Sequence, residues 1–111
     1  SNGYYWRDAN KGGYFMYELK ALPGVKQSLC LQLFGSDGGN RVFDVLIDGK
    51  PIQTLDLSTP NPDCSGLYRR YIEIPDSCIA SKNAVTVKFQ AKNGSTAGGI
   101  FDVRIIKRDN N

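Results

Sequence analysis

The chain contains no histidine, and that removes most of the reactive arrangements 111 residues could hold. Ser-His-Asp and Cys-His nucleophiles both need an imidazole to take the proton. Without histidine or a CxxC spacing, a structural zinc site has no ligand set. Cys30 lies in an apolar run and reads as a small core residue. Cys64 and Cys78 lie in loop-like sequence and could pair, since spacing alone does not set their distance. Glycoside hydrolysis would need two carboxyl groups facing each other across a cleft. Asp44, Asp48 and Asp102, however, alternate with apolar residues, as on solvated strand faces. Asp8, Asp37, Asp63, Asp76 and Asp109 sit in turns or ends, where Asp accepts backbone hydrogen bonds. The glycine-rich GSDGGN and STAGG lack the GxxxxGK[ST] pattern of a phosphate loop, and no helix follows them. No catalytic residue and no metal ligand is assigned. No cofactor is expected, a structural calcium being the one left open, without a contiguous D-x-D-x-D loop to support it.

Saccharide binding is the chemistry the residues do permit. It needs an aromatic platform for the apolar face of a sugar ring and planar polar groups for its hydroxyls. Tyr5 and Trp6 stand beside Tyr4, Arg7 and Asp8, and the large glycine loop supplies Asp37, Asn40 and Arg41. The candidate ligand-binding residues are therefore Tyr5, Trp6, Arg7, Asp37, Asn40 and Arg41. The plainer alternative has Trp6 packed over a sheet edge, with Arg7 paired to a nearby aspartate. Nucleic acid is not an expected partner. The net charge is only +3, and Arg7, Lys11, Lys26, Arg41, Lys50, Lys82 and Lys92 are scattered. Arg69 and Arg70 fall on opposite sides of a strand. A membrane is not expected either, because no stretch approaches the ~20 apolar residues of a span. Nor does a signal peptide show.

The elements that would carry such a site read as strands. GYFMYELK (13–20) puts Phe15, Tyr17 and Leu19 on one face. SLCLQLF (28–34) turns Leu29, Leu31 and Leu33 inward, and VFDVLID (42–48) does the same with Phe43, Val45 and Ile47. Asp48-Gly49 signals a hairpin to residues 51–57. LYRRYIEI (67–74) sets Tyr68, Ile72 and Ile74 against Leu67 and Tyr71, and a single helical turn fits after Pro75. AVTVKFQAK (84–92) points Val85, Val87, Phe89 and Ala91 inward, and IFDVRII (100–106) points Phe101, Val103 and Ile105. Strands with one apolar and one polar face call for two antiparallel sheets packed face to face. The expected fold is an all-β antiparallel β-sandwich, a jelly roll, over residues 4–108. An immunoglobulin-like sandwich is the alternative, weakened because the lone Trp6 precedes the first strand. Ser1–Gly3 reads as a leftover of cloning and residues 109–111 as a tail.

The succession WRDANKGGYFMYEL, LQLFGSDGGNRVFDVLIDG, YIEIPDSCI and AVTVKFQAKNGSTAGGIFDVRI resembles the C-terminal β-sandwich of bacterial β-L-arabinofuranosidase-like glycoside hydrolases, family 127 type. The resemblance runs from Trp6 to Ile106. It implies a galactose-binding-domain-like jelly roll, with catalysis in a separate helical barrel that has no counterpart here. It also implies a periplasmic or extracellular setting in Bacteroides-type bacteria. The expected function is that of a non-catalytic accessory domain packed against a parent catalytic domain. A carbohydrate-binding module for plant-type polysaccharide and a sugar-independent protein-interaction sandwich are the alternatives. The packing reading demands an exposed apolar patch of several hundred Å².

Overall fold

The computed structural model describes residues 4–6, 13–34, 41–57, 66–92 and 100–108. Its strands are β1 (Tyr4–Trp6), β2 (Tyr14–Lys20), β3 (Gln27–Phe34), β4 (Val42–Ile47), β5 (Lys50–Asp56), β6 (Leu67–Glu73), β7 (Ala84–Ala91) and β8 (Ile100–Lys107). One helical turn, α1 (Asp76–Ile79), lies between β6 and β7. Two antiparallel sheets result, ordered β1-β2-β7-β4-β5 and β6-β3-β8. The expected jelly-roll sandwich is the fold.

Alternation builds the core. Phe15, Phe89 and Val45 share one cross-strand row of the larger sheet. Phe89 and Val45 are fully buried against Leu29, Leu31, Leu33 and Val103 of the smaller one. Phe43 and Tyr17 both meet Phe89 edge to face, with ring centroids 6.0 and 5.9 Å away. Two β-bulges interrupt the alternation. The register shift at Val45/Leu46 lets Ile52 and Leu55, an odd spacing apart, both pack on the core. The shift at Gln32/Leu33 sets Ile100 opposite Leu33 and packs it inward. A strict period of two places neither residue.

Three readings change or sharpen. β1 is an additional strand, paired to the edge of β2, where the sequence suggests none. Cys30 is a buried small residue, as expected, but lies outside the main hydrophobic cluster. Its register neighbours are Tyr71 and Arg104, both exposed, on the outer face of the smaller sheet. Cys78 is a buried free thiol in α1, so the bridge to Cys64 does not form; Cys64 itself lies outside the described residues.

The end holding the 21–26 turn is closed by side chains. Gln27, 2% exposed, accepts from the Leu22 N–H at 2.9 Å. Its amide donates to the Leu22 and Val25 carbonyls, each at 2.8 Å. The β4–β5 hairpin has positive φ at Asp48 (49°) and Gly49 (84°), the pattern of a type I′ turn. The Asp48 carboxylate accepts from the Thr86 N–H at 2.8 Å, tying that turn to β7.

Gln27→Leu removes three hydrogen bonds while keeping much of the volume. Urea unfolding should show a loss of about 1.5–4.5 kcal/mol, scaled from 0.5–1.5 per net bond; an unchanged midpoint would mean the turn holds itself. Thiol titration of the unfolded, unreduced chain should count all three cysteines, whereas a count of one would restore the Cys64–Cys78 bridge.

Candidate functional site

Antiparallel connectivity sorts the links between strands into two ends. The turn at 21–26, the Asp48-Gly49 hairpin and the α1 connection close one end. Every other link, 7–12, 35–40, 58–65 and 93–99, leaves and re-enters the sandwich at the opposite end. These segments read RDANKG, GSDGGN, STPNPDCS and NGSTAGG. They hold the chain's densest polar and glycine-rich sequence, and among the candidate residues Arg7, Asp37 and Asn40. Those three lie outside the described residues.

The stems of these segments are stitched together. The Leu57 N–H donates to the Arg41 carbonyl at 2.8 Å, joining the end of 35–40 to the start of 58–65. The Lys92 N–H donates to the Val42 carbonyl at 3.0 Å. The Gly13 carbonyl accepts from the Ala91 N–H at 3.0 Å and from the Gln90 side-chain amide at 3.1 Å. Polar segments are thus mounted on a rigid rim, the usual construction of a recognition site.

Of the expected binding residues, Arg41 stands half-buried at the rim, where β4 begins. Tyr5 and Trp6 are consecutive in β1, in register with Met16 and Phe15 respectively. β1 runs toward the rim and brings position 6 closest to it.

A further polar row was hidden in the strand pattern. Tyr14, Gln90, Asp44 and Thr54 line up across the outer face of the larger sheet, just below the rim. The Thr54 hydroxyl donates to Asp44 at 2.6 Å, and Lys92 pairs with the same carboxylate at 3.3 Å. The Lys88 ammonium sits 4.4 Å from the centre of the Tyr14 ring. Only the cross-strand register, not the linear spacing, gathers these residues.

Five of the described carboxylates are held in ion pairs. Asp44 is engaged by Lys92, Asp48 by Lys82, Asp76 by Lys26, Asp102 by Arg104 and Glu73 by Arg108. Each of these five faces a cation. No three His, Cys, Asp or Glu side chains among the described residues gather to hold a metal. Two cavities of about 200 Å³ flank α1 at the closed end, one beside Lys26 and Asp76 and one beside Lys82 and Asp48. Both are smaller than usual ligand pockets.

Solved structures share this architecture. A family 35 carbohydrate-binding module from an environmental isolate superposes with a TM-score of 0.69 at 17% identity, covering 94% of this chain and 72% of its own. The family 35 module of Cellvibrio japonicus Abf62 gives 0.65 at 14% identity, with 94% and 73% covered. A family 35 module in complex with a glucuronic acid containing disaccharide gives 0.59 at 12% identity, with the same coverage. The likeness is one of fold. No curated protein matches the sequence. Residues 1–106 match the model of a family of unknown function (DUF6805), and the chain belongs to that family.

Proposed function

We propose that this domain is a non-catalytic carbohydrate-binding module that holds saccharide at the loop-bearing end of the sandwich. The observation that carries the reading is the gathering of the stems of four polar segments on one stitched rim, in a fold shared with carbohydrate-binding modules. One of those modules was solved with a disaccharide bound. Arg41, Asn40 and Asp37 supply polar groups for sugar hydroxyls, and Trp6 supplies the aromatic surface. The domain accompanies a carbohydrate-acting enzyme outside the cytoplasm, where it meets plant-type polysaccharide.

Packing against a catalytic domain is supported less. The exposed large apolar side chains among the described residues are Leu22, Leu67 and Tyr71. Leu22 belongs to the closed end, whereas Leu67 and Tyr71 share β6 with exposed Arg69 between them. Such dispersal does not make the broad patch that packing requires.

A glycan array of neutral and acidic plant polysaccharides, followed by calorimetry on the best binder, tests the proposal. Trp6→Ala, Asn40→Ala and Arg41→Ala should each weaken binding tenfold or more, about 1.4 kcal/mol. Glu18→Ala, on the outer face away from the rim, should leave it unchanged. Silence across the array, or binding indifferent to all three rim substitutions, would end the idea.

A further inference from the structure

β6 is an edge strand whose outward side carries a self-complementary message. Among the described residues it pairs with β3 alone. The Ile74 N–H donates to the Gln27 carbonyl at 3.1 Å, so residue 74 directs its backbone groups toward β3. Along an antiparallel strand these directions alternate. The amides and carbonyls of Arg69, Tyr71 and Glu73 therefore face the open edge. The side chains of Arg69 and Tyr71 and that of Glu73 are exposed on the same outer face, Tyr71 at 56%.

We infer that β6 pairs with β6 of a second copy, antiparallel and centred on Tyr71, to join the two smaller sheets. In that register Arg69 stands opposite Glu73 of the second copy, Glu73 opposite its Arg69, and Tyr71 opposite its own equivalent. All three are hydrogen-bonded positions, so the backbone groups facing the open edge find partners. A two-fold axis requires such reciprocity, and opposite charges directly across a strand pair stabilise it. Neighbouring registers are disfavoured. Centring on Arg69 or on Arg70 sets an arginine against itself, and like charges directly opposite repel. Arg69 holds no ion pair with any described residue, and Glu73 reaches only Arg108, at 3.2 Å, with a side chain 78% exposed. Because the paired strands run in opposite directions, the two loop-bearing ends point away from each other. The inference stands whether or not saccharide binds at those ends.

Sedimentation velocity on the full chain, from about 10 μM to about 1 mM, spans the range of weak to moderate association. The expected result is a concentration-dependent dimer. Arg69→Glu should raise its dissociation constant at least tenfold, as should Glu73→Arg. The double variant R69E/E73R, which re-creates the pairs with charges exchanged, should bring it back within about threefold of the original. Circular dichroism of each variant confirms that the fold persists. A monomer at every concentration, single variants that still dimerise, or a double variant that fails to recover would each overturn the assignment.

Discussion

The edge-to-face packing of Phe43 and Tyr17 on Phe89 holds the larger sheet to its purpose. Phe89 belongs to β7, the central strand, and it is wholly buried. Its neighbours come from the strands on either side, so one ring cluster ties β2, β7 and β4 into a single rigid layer. Those strands also carry the stems of the polar segments, through Gly13, Arg41, Val42 and Lys92. Stiffness at the rim is thus a consequence of aromatic packing about two residues below it. Fully burying such a side chain is worth about 1.5–3 kcal/mol. That scale is large beside the marginal stability of a domain this size.

Much of this was legible in the residues. Wherever alternation was unbroken, as in Val85-Thr86-Val87-Lys88-Phe89, the inward set is the buried set. Where it failed, the reason is geometric. The bulges that admit Ile52 and Ile100 depend on how a partner strand is registered, and no linear spacing encodes that. β1 escaped because three residues without alternating polarity form no pattern, and its pairing with β2 is what makes it a strand. Cys30 looked like core because it sits among leucines. Its parity, opposite to Leu29 and Leu31, sends it to the other face, where it is nonetheless buried.

The candidate site was legible as composition but not as assembly. Glycine loops and an aromatic pair could be named one by one, and antiparallel connectivity brings their stems to a common end. The row of Tyr14, Gln90, Asp44 and Thr54 spans four strands, its cross-strand neighbours lying 76, 46 and 10 positions apart in the chain, so only the folded sheet reveals it. By spacing alone Asp44 is an ordinary solvated strand residue; in the sheet it is a hub between Thr54 and Lys92.

Strand polarity also settles how the molecule can be handled. β1 runs toward the loop-bearing end, whereas β8 runs away from it and finishes beside Gln27. Coupling through the downstream side of β8, or through the upstream side of β1, places any carrier behind or beside the sandwich rather than across the rim. A sensor chip, bead or fused reporter attached in either way would leave the loop-bearing end facing outward into solution.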